Sequence, residues 1–399
     1  MTNKNFSCSE IFSNTEEIAR ELIKEEMLAM NKDSLGFLIC NSQIDYERLN
    51  STLSRELTFP IIGGTTLAMP IRGRHDEVSA SLAVLEKEHM QHAISVTSGL
   101  DEDKSKDQMR DLYDSCIKQL TGKPRLFLIY IPMIHGLMTN KFVDEIFELA
   151  GDVPVFGGVT TDDMVSSDAA VFANGKAYRN DIVLVALGGD IRPIFGVGNQ
   201  LSLMTQYEPV VTKSEDNLVY RVDDMSFCDY MRSLGIAPEN RINGVDALMQ
   251  YGPLPVRLYK DGRDLDGVPE IRCISYTDLD NGGAAFSTNI PEGTRVNMGL
   301  IQKSDVMKSA EICAKNLTEQ IKNNTVDGYE YTTLIAVPCV ARYFAMVGDE
   351  AEGIQISNMF PKNLNVTSYY GFSEIGPTFN SQGEIHNRSN NASIIMCAL

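Results

Sequence analysis

Ile61-Ile62-Gly63-Gly64-Thr65-Thr66 returns 94 residues later as Val155-Phe156-Gly157-Gly158-Val159-Thr160, followed by Thr161. Each copy is an apolar run into a Gly-Gly pair and then threonine. Working outward, each is preceded by a strand pattern and a helical pattern, at 35–40 then 44–57 and at 126–131 then 140–149. Each is followed by a polar turn and a further strand, at 78–85 and 182–187, the second after a hairpin turn at Asn174-Gly175. Four elements in matched order predict an internal duplication. A more divergent third copy closes the chain: a strand at 331–337, a helix at 350–359 stopped before Pro361, a strand at 366–370, a turn at Gly371 and a last strand at 393–398. The three glycine stretches read as turns at strand ends, where open sheets present ligands.

The rest of the chain is less repetitive. Residues 1–14 read as a loose arm, and Asn14 as the N-cap of a helix reaching about residue 31. A strand at 93–97 and a charged helix at 104–120 close the first copy. A helix is expected at 222–234, stopped by Gly235, and a hairpin about Asn281-Gly282-Gly283 between strands at 271–276 and 284–287. Val306, Ala310, Cys313, Leu317 and Ile321 make a helical stripe that reads as core. The change of pattern after Gly188 places a boundary near 190–200, giving domains 1–195 and 196–399. The expected fold is α+β: duplicated strand–helix–strand–strand units forming mixed sheets covered by helices. Sheets packed face to face between helical layers would give a four-layer sandwich. A doubly wound parallel sheet is the runner-up, and the two hairpins count against it.

Acidic residues outnumber basic ones, 54 to 35, for a net charge of −19. That argues against nucleic acid or an anionic membrane as the main partner. No apolar run follows Lys4 and no segment has the length of a membrane span, so a cytoplasmic protein is expected. The eight cysteines form no Cys-x-x-Cys pair, and no structural zinc site is expected.

Several stretches resemble the FIST family, a bacterial sensory module with N- and C-terminal domains, and the resemblance spans nearly the whole chain. Ile62 to Thr66 resembles its N-domain glycine turn, and Gly198, Val211-Thr212-Lys213 and Asn217 to Asp223 its domain junction. Ile290 to Val296 resembles the start of a C-domain strand, and Cys339-Val340-Ala341-Arg342 the family's Cys and Arg after a strand. Gly371-Phe372-Ser373-Glu374-Ile375-Gly376-Pro377 with His386-Asn387 resembles its C-terminal signature. The resemblance implies a sensory, signal-transduction domain for a small ligand, usually an amino acid or derivative. Some relatives are described as haem-binding nitric-oxide sensors that act on a histidine kinase. The chain departs from the family at Leu67-Ala68-Met69, where Gly-Glu is usual, and it carries no kinase or cyclase segment, so output is expected through a separate signalling partner or through a change of shape or assembly.

The residue chemistry gives candidate ligand contacts. Glu374 can take a ligand ammonium and Arg342 a carboxylate, together suiting a zwitterion, or the two can pair with each other. His386 and Asn387 can orient a ligand or cap the hairpin beside Gly371 and Gly376. Gly63, Gly64, Gly157 and Gly158, with Thr160, can let backbone N–H groups approach an anion. Cys339 is a packing residue or, if Arg342 lowers its pKa, a reactive thiol. An enzyme using Cys339 as nucleophile and His386 as base is the catalytic alternative, with no third, orienting group at a recognisable spacing. For haem, the axial candidates are His75, His89, His92, His135 and His386.

Overall fold

Three times in the chain a helix carries one strand over to a parallel neighbour. The computed structural model describes residues 5–8, 15–68, 80–163, 168–236, 254–259, 269–325, 328–361, 364–379 and 384–399. The first unit is Leu35–Asn41, helix Tyr46–Glu56 and Ile61–Thr66, with Leu38 opposite Gly63. The second is Pro124–Pro132, helix Asn140–Ala150 and Val155–Thr160, with Ile129 opposite Gly157. The third is Thr333–Pro338, helix Ala351–Met359 and Asn365–Ser368, with Ile335 opposite Thr367. In each, an antiparallel strand lies on the other side of the first: Ala80–Leu85, Val183–Gly188 and Ile394–Ala398. The fold is therefore α+β, with mixed sheets covered by helices, and the repeat has three copies.

The units interlock. The hairpin Val171–Ala173 and Lys176–Tyr178, which follows the second unit, pairs with Ile61–Thr66 of the first. The hairpin Gly371–Phe379 and Ile385–Asn390, which follows the third, pairs with Val155–Thr160 of the second.

Burial on both faces explains why the strands read as unbroken apolar runs. Alternate residues point inward: Leu35, Phe37 and Ile39, then Leu126, Leu128 and Tyr130, then Ile335 and Val337 share one central core. The residues between them face outward to the helices. Leu38 and Cys40 meet helices Thr15–Leu22 and Tyr46–Glu56, Phe127 and Ile129 meet Ser105–Gln119 and Asn140–Ala150, and Leu334 and Ala336 meet Lys303–Asn324. The three units thus share one inner core, and each carries its helices on the opposite face of its sheet.

A fourth sheet stands apart from the repeats. Its order is Ser202–Leu203, Arg295–Leu300, Pro255–Tyr259, Glu270–Asp278, Gly283–Phe286, Leu218–Val222 and Val211–Glu215. Its described pairings are antiparallel. It packs on helix Phe227–Ser233 and has its own core around Phe227, Tyr230 and Phe286.

Several expectations need correction. The glycine pairs are not turns: Gly63-Gly64 and Gly157-Gly158 lie inside buried strands, and Gly371 begins one. Asn5–Cys8 is a strand paired with Ala80–Leu85 rather than loose arm. The first helix is broken into Thr15–Leu22 and Glu25–Leu28. The helix expected from 222 starts at Phe227, because Asp223 turns the chain at φ 43 and Ser226 caps the helix. Cys339 to Arg342, after the strand, opens a helix not expected from the sequence, Val340–Met346. Ile194–Gly198 is a strand paired with Ile394–Ala398. Asn14, Met69 and His75 lie outside the described residues.

Candidate functional site

The strand pairing gathers half of the candidate residues. Gly371–Phe379 lies against the second glycine strand, with Gly371 opposite Thr160, Glu374 opposite Gly158 and Ile375 opposite Gly157. Cys339 bridges to Gly371. Gly64 packs so close to Thr160 that an added Cβ would sit 2.7 Å from its methyl group. Glu374 is wholly buried there. Its Oε2 accepts from Ser393 Oγ at 2.8 Å and Ser393 N at 3.3 Å, and the Cys339 thiol also approaches the carboxyl. Burial dominates these stabilising contacts and pushes the Glu374 pKa up to about 8. The same burial, with the nearby Glu374 carboxyl, holds the Cys339 thiol well above the ordinary range, so it is not a thiolate at neutral pH.

Arg342 is turned away from this group. Nε and Nη2 donate to Glu352 Oε1, Nη1 to Ser309 Oγ and Ala392 O, and Nη2 also to Val306 O. A guanidinium has five N–H donors, and these bonds use all of them. Arg342 ties helices Lys303–Asn324, Val340–Met346 and Ala351–Met359 together, and pairs with Glu352 rather than Glu374.

His386 and Asn387 lie at the far end of the hairpin, within strand Ile385–Asn390. Asn387 Oδ1 accepts from Val155 N at 2.8 Å and Nδ2 donates to Val153 O at 3.0 Å, which clamps the start of the second glycine strand. Gly376 packs on Ile395. Cys339 bridges Gly371, and His386 pairs with Thr378, seven residues further along. At roughly 3.3 Å per residue this separates them by on the order of 20 Å. Cys339 and His386 therefore form no nucleophile–base pair.

A cleft of about 370 Å³ opens beside His386 and Asn387. One wall is helix Asn140–Ala150, with Asn140, Asp144 and Phe147; the other is the antiparallel sheet, with Leu258, Glu270 and Arg272; the hairpin contributes His386 to Ser389. Glu270 and Arg272 start one strand at i and i+2, so both face the cleft. Arg272 is only 8% exposed and donates to Glu270 Oε1 at 2.7 Å and Ser389 O at 3.2 Å. Burial works against its charge, while Glu270, and Asp144 from the facing helix, support it. Arg388 Nη2 stands 3.8 Å from Glu270 Oε2. Asn140 is 5% exposed, and its Oδ1 has no hydrogen-bond partner. A buried acceptor of this kind calls for a donor that the described chain does not supply.

Sequence reasoning missed Asn140, Asp144, Glu270 and Arg272. A faint signal existed in the charged i, i+2 pair Glu270 and Arg272 opening an apolar strand. Nothing local foretold that Arg388 would meet them.

Among the described histidines none is fully buried, as an enclosed haem ligand would be, and His75 lies outside the described residues. His89, His135 and His386 are exposed, and His92 is half-buried on an edge strand. The cleft beside His386 mixes the apolar Phe147, Leu258 and Pro291 with the charged Asp144, Glu270, Arg272 and Arg388. Among the described residues no group of three or more His, Cys, Asp or Glu side chains could hold a metal ion.

Fold and cleft together define an α+β protein of interlocked repeats with a polar crevice where the repeats meet an added sheet. Residues 34–225 match the FIST N domain and residues 230–377 the FIST C domain, and the chain belongs to the FIST family. FIST domains are small-ligand sensory domains of signal transduction. No curated protein matches the chain. Among solved structures it is similar to a cyanuric acid hydrolase from A. caulinodans, at 8% identity over 99% of this chain and 98% of that one, with a TM-score of 0.37. A second cyanuric acid hydrolase structure is similar at 6% identity, with the same coverage and a TM-score of 0.31. No described helix is long and apolar enough to cross a membrane.

Proposed function

We propose that this protein is a cytoplasmic sensor whose ligand, an amino acid or a similar small polar metabolite, binds in the cleft between helix Asn140–Ala150 and the antiparallel sheet. The observation that carries this reading is Asn140 Oδ1, a buried acceptor without a partner, in a crevice that also holds the buried Arg272. Asn140 and Asp144 suit an ammonium, and Arg272 with Arg388 suits a carboxylate. The cleft lies between the FIST N and FIST C portions, where small-ligand sites are often built. His386 and Asn387 line it directly. Cys339, Gly371, Glu374 and Gly376 support the hairpin, Gly157, Gly158 and Thr160 the strand it joins, Gly63 and Gly64 the neighbouring first unit, and Arg342 the helices beside them. A ligand touching both portions favours one arrangement of the hairpin, and a separate signalling protein reads that shift.

Thermal unfolding against a panel of free amino acids, related metabolites and haemin tests this. A ligand at 100 times its Kd adds roughly 2.7 kcal/mol, or several degrees at about 2–4 °C per kcal/mol. The expected result is a shift with an amino acid that Asn140→Ala abolishes. No shift across the panel would overturn the reading, and a shift with haemin alone would replace it with a gas sensor.

A further inference from the structure

Glu270 has an arrangement that a structural ion pair alone does not require. Its two carboxylate oxygens face two different guanidinium groups, Arg272 at 2.7 Å and Arg388 at 3.8 Å. All three side chains are only 10–11% exposed, and all three line the cleft. Two guanidiniums closing on one carboxylate is the geometry by which proteins hold a ligand carboxylate. Glu270 is also the first residue of its strand, with its backbone fixed opposite Leu258. Its side chain can swing about its own bonds without disturbing the ladder.

We infer that Glu270 fills the carboxylate seat of the cleft in the ligand-free protein, and that a ligand enters by displacing it from Arg272 and Arg388. This rests on the proposed ligand site and adds how that site is kept closed. The guanidiniums never lose a counter-charge, because one carboxylate replaces another, and the uncompensated buried charge that would oppose binding does not arise. The device also selects: a ligand without an anionic group cannot take the place of Glu270. A carboxamide lacks the charge to compete, and an amine is repelled by both arginines.

Calorimetric titration of wild-type and Glu270→Gln protein with the common L-amino acids and their carboxamides tests this. The substitution keeps the shape of the side chain but leaves the two guanidiniums without their anion. The expected result is tighter binding of the carboxylate forms by the variant, by at least about tenfold, with the carboxamides unimproved. Circular dichroism establishes that the variant is folded, and Arg388→Gln provides a second reading, with carboxylate binding weakened. If wild type binds a carboxylate and folded Glu270→Gln binds it equally or more weakly, the displacement is overturned while the ligand site stands. If neither folded protein binds any member of the panel, the site itself is wrong and the displacement falls with it.

Discussion

Arg342 Nε and Nη2 both donate to Glu352 Oε1, at 2.9 and 2.6 Å, and both residues are buried. Removing one partner of such a pair strands the other charge in a dry site. Arg342→Ala should therefore cost about 3–5 kcal/mol of stability, seen as a lower urea midpoint. Arg342→Met combined with Glu352→Leu should recover part of that loss. A single variant of wild-type stability would show that Arg342 does not hold the three helices together.

Gly63 and Gly157 carry the tightest backbone approach in the repeats. An added Cβ would lie 1.9 Å from Leu38 O in one and 1.9 Å from Ile129 O in the other, at φ 142 and 147. Neither carbonyl can move without breaking its parallel pair. Alanine at either position should cost more than about 3 kcal/mol. Gly122, whose added Cβ would meet only Gln91 Oε1 at 3.9 Å, is the control and should tolerate alanine within about 0.5 kcal/mol. Equal midpoints for the Gly157 and Gly122 variants would contradict the close approach.

Glu374 makes stability depend on pH. Its folded pKa is raised to about 8 from the ordinary 4.5, so between those values the native state holds a proton that the unfolded state has released. Stability from this group therefore falls as pH rises through that window, at a slope of up to roughly 1.4 kcal/mol per pH unit. Glu374→Gln keeps an acceptor for Ser393 and carries no charge. Its stability relative to wild type should grow from pH 5 to pH 8 in denaturant titrations. A constant difference across that range would mean that Glu374 is ionised in the fold.

Asn387 is the link between the hairpin and the second unit. Asn387→Ala leaves Val155 N–H and Val153 O without their side-chain partner, at a cost of about 1–3 kcal/mol. Amide exchange at Val155 should quicken in the variant. Unchanged exchange there would show that other contacts fix the start of that strand.

Cys339 should stay unmodified by a thiol-reactive reagent in the native protein and react once unfolded, because burial and Glu374 both oppose its thiolate. Prompt native labelling, read by mass spectrometry, would revive the reactive-thiol reading.

Much of the fold was legible because it is written in neighbouring residues. Apolar runs of strand length, helical spacing at residues 140–149 and the Asn174-Gly175 turn are local signals, and two repeats of them exposed the units. The glycine pairs are plain in the sequence, but their role is not. A glycine pair marks a turn or a close backbone approach alike, and only the carbonyls of Leu38 and Ile129, 25 and 28 residues away, decide between them.

What the sequence by itself determined is the repeated unit, since helix and strand periodicity is set by residues within one turn or one pleat of each other. The tertiary structure alone decided the partners. Arg342 reached Glu352 rather than Glu374 because an unforeseen helix turned it outward. The cleft exists because the last hairpin crosses to the second unit and brings Arg388 to Glu270 and Arg272. Such pairings depend on which sheet edges are left open when the units interlock, and no local pattern of residues encodes that choice.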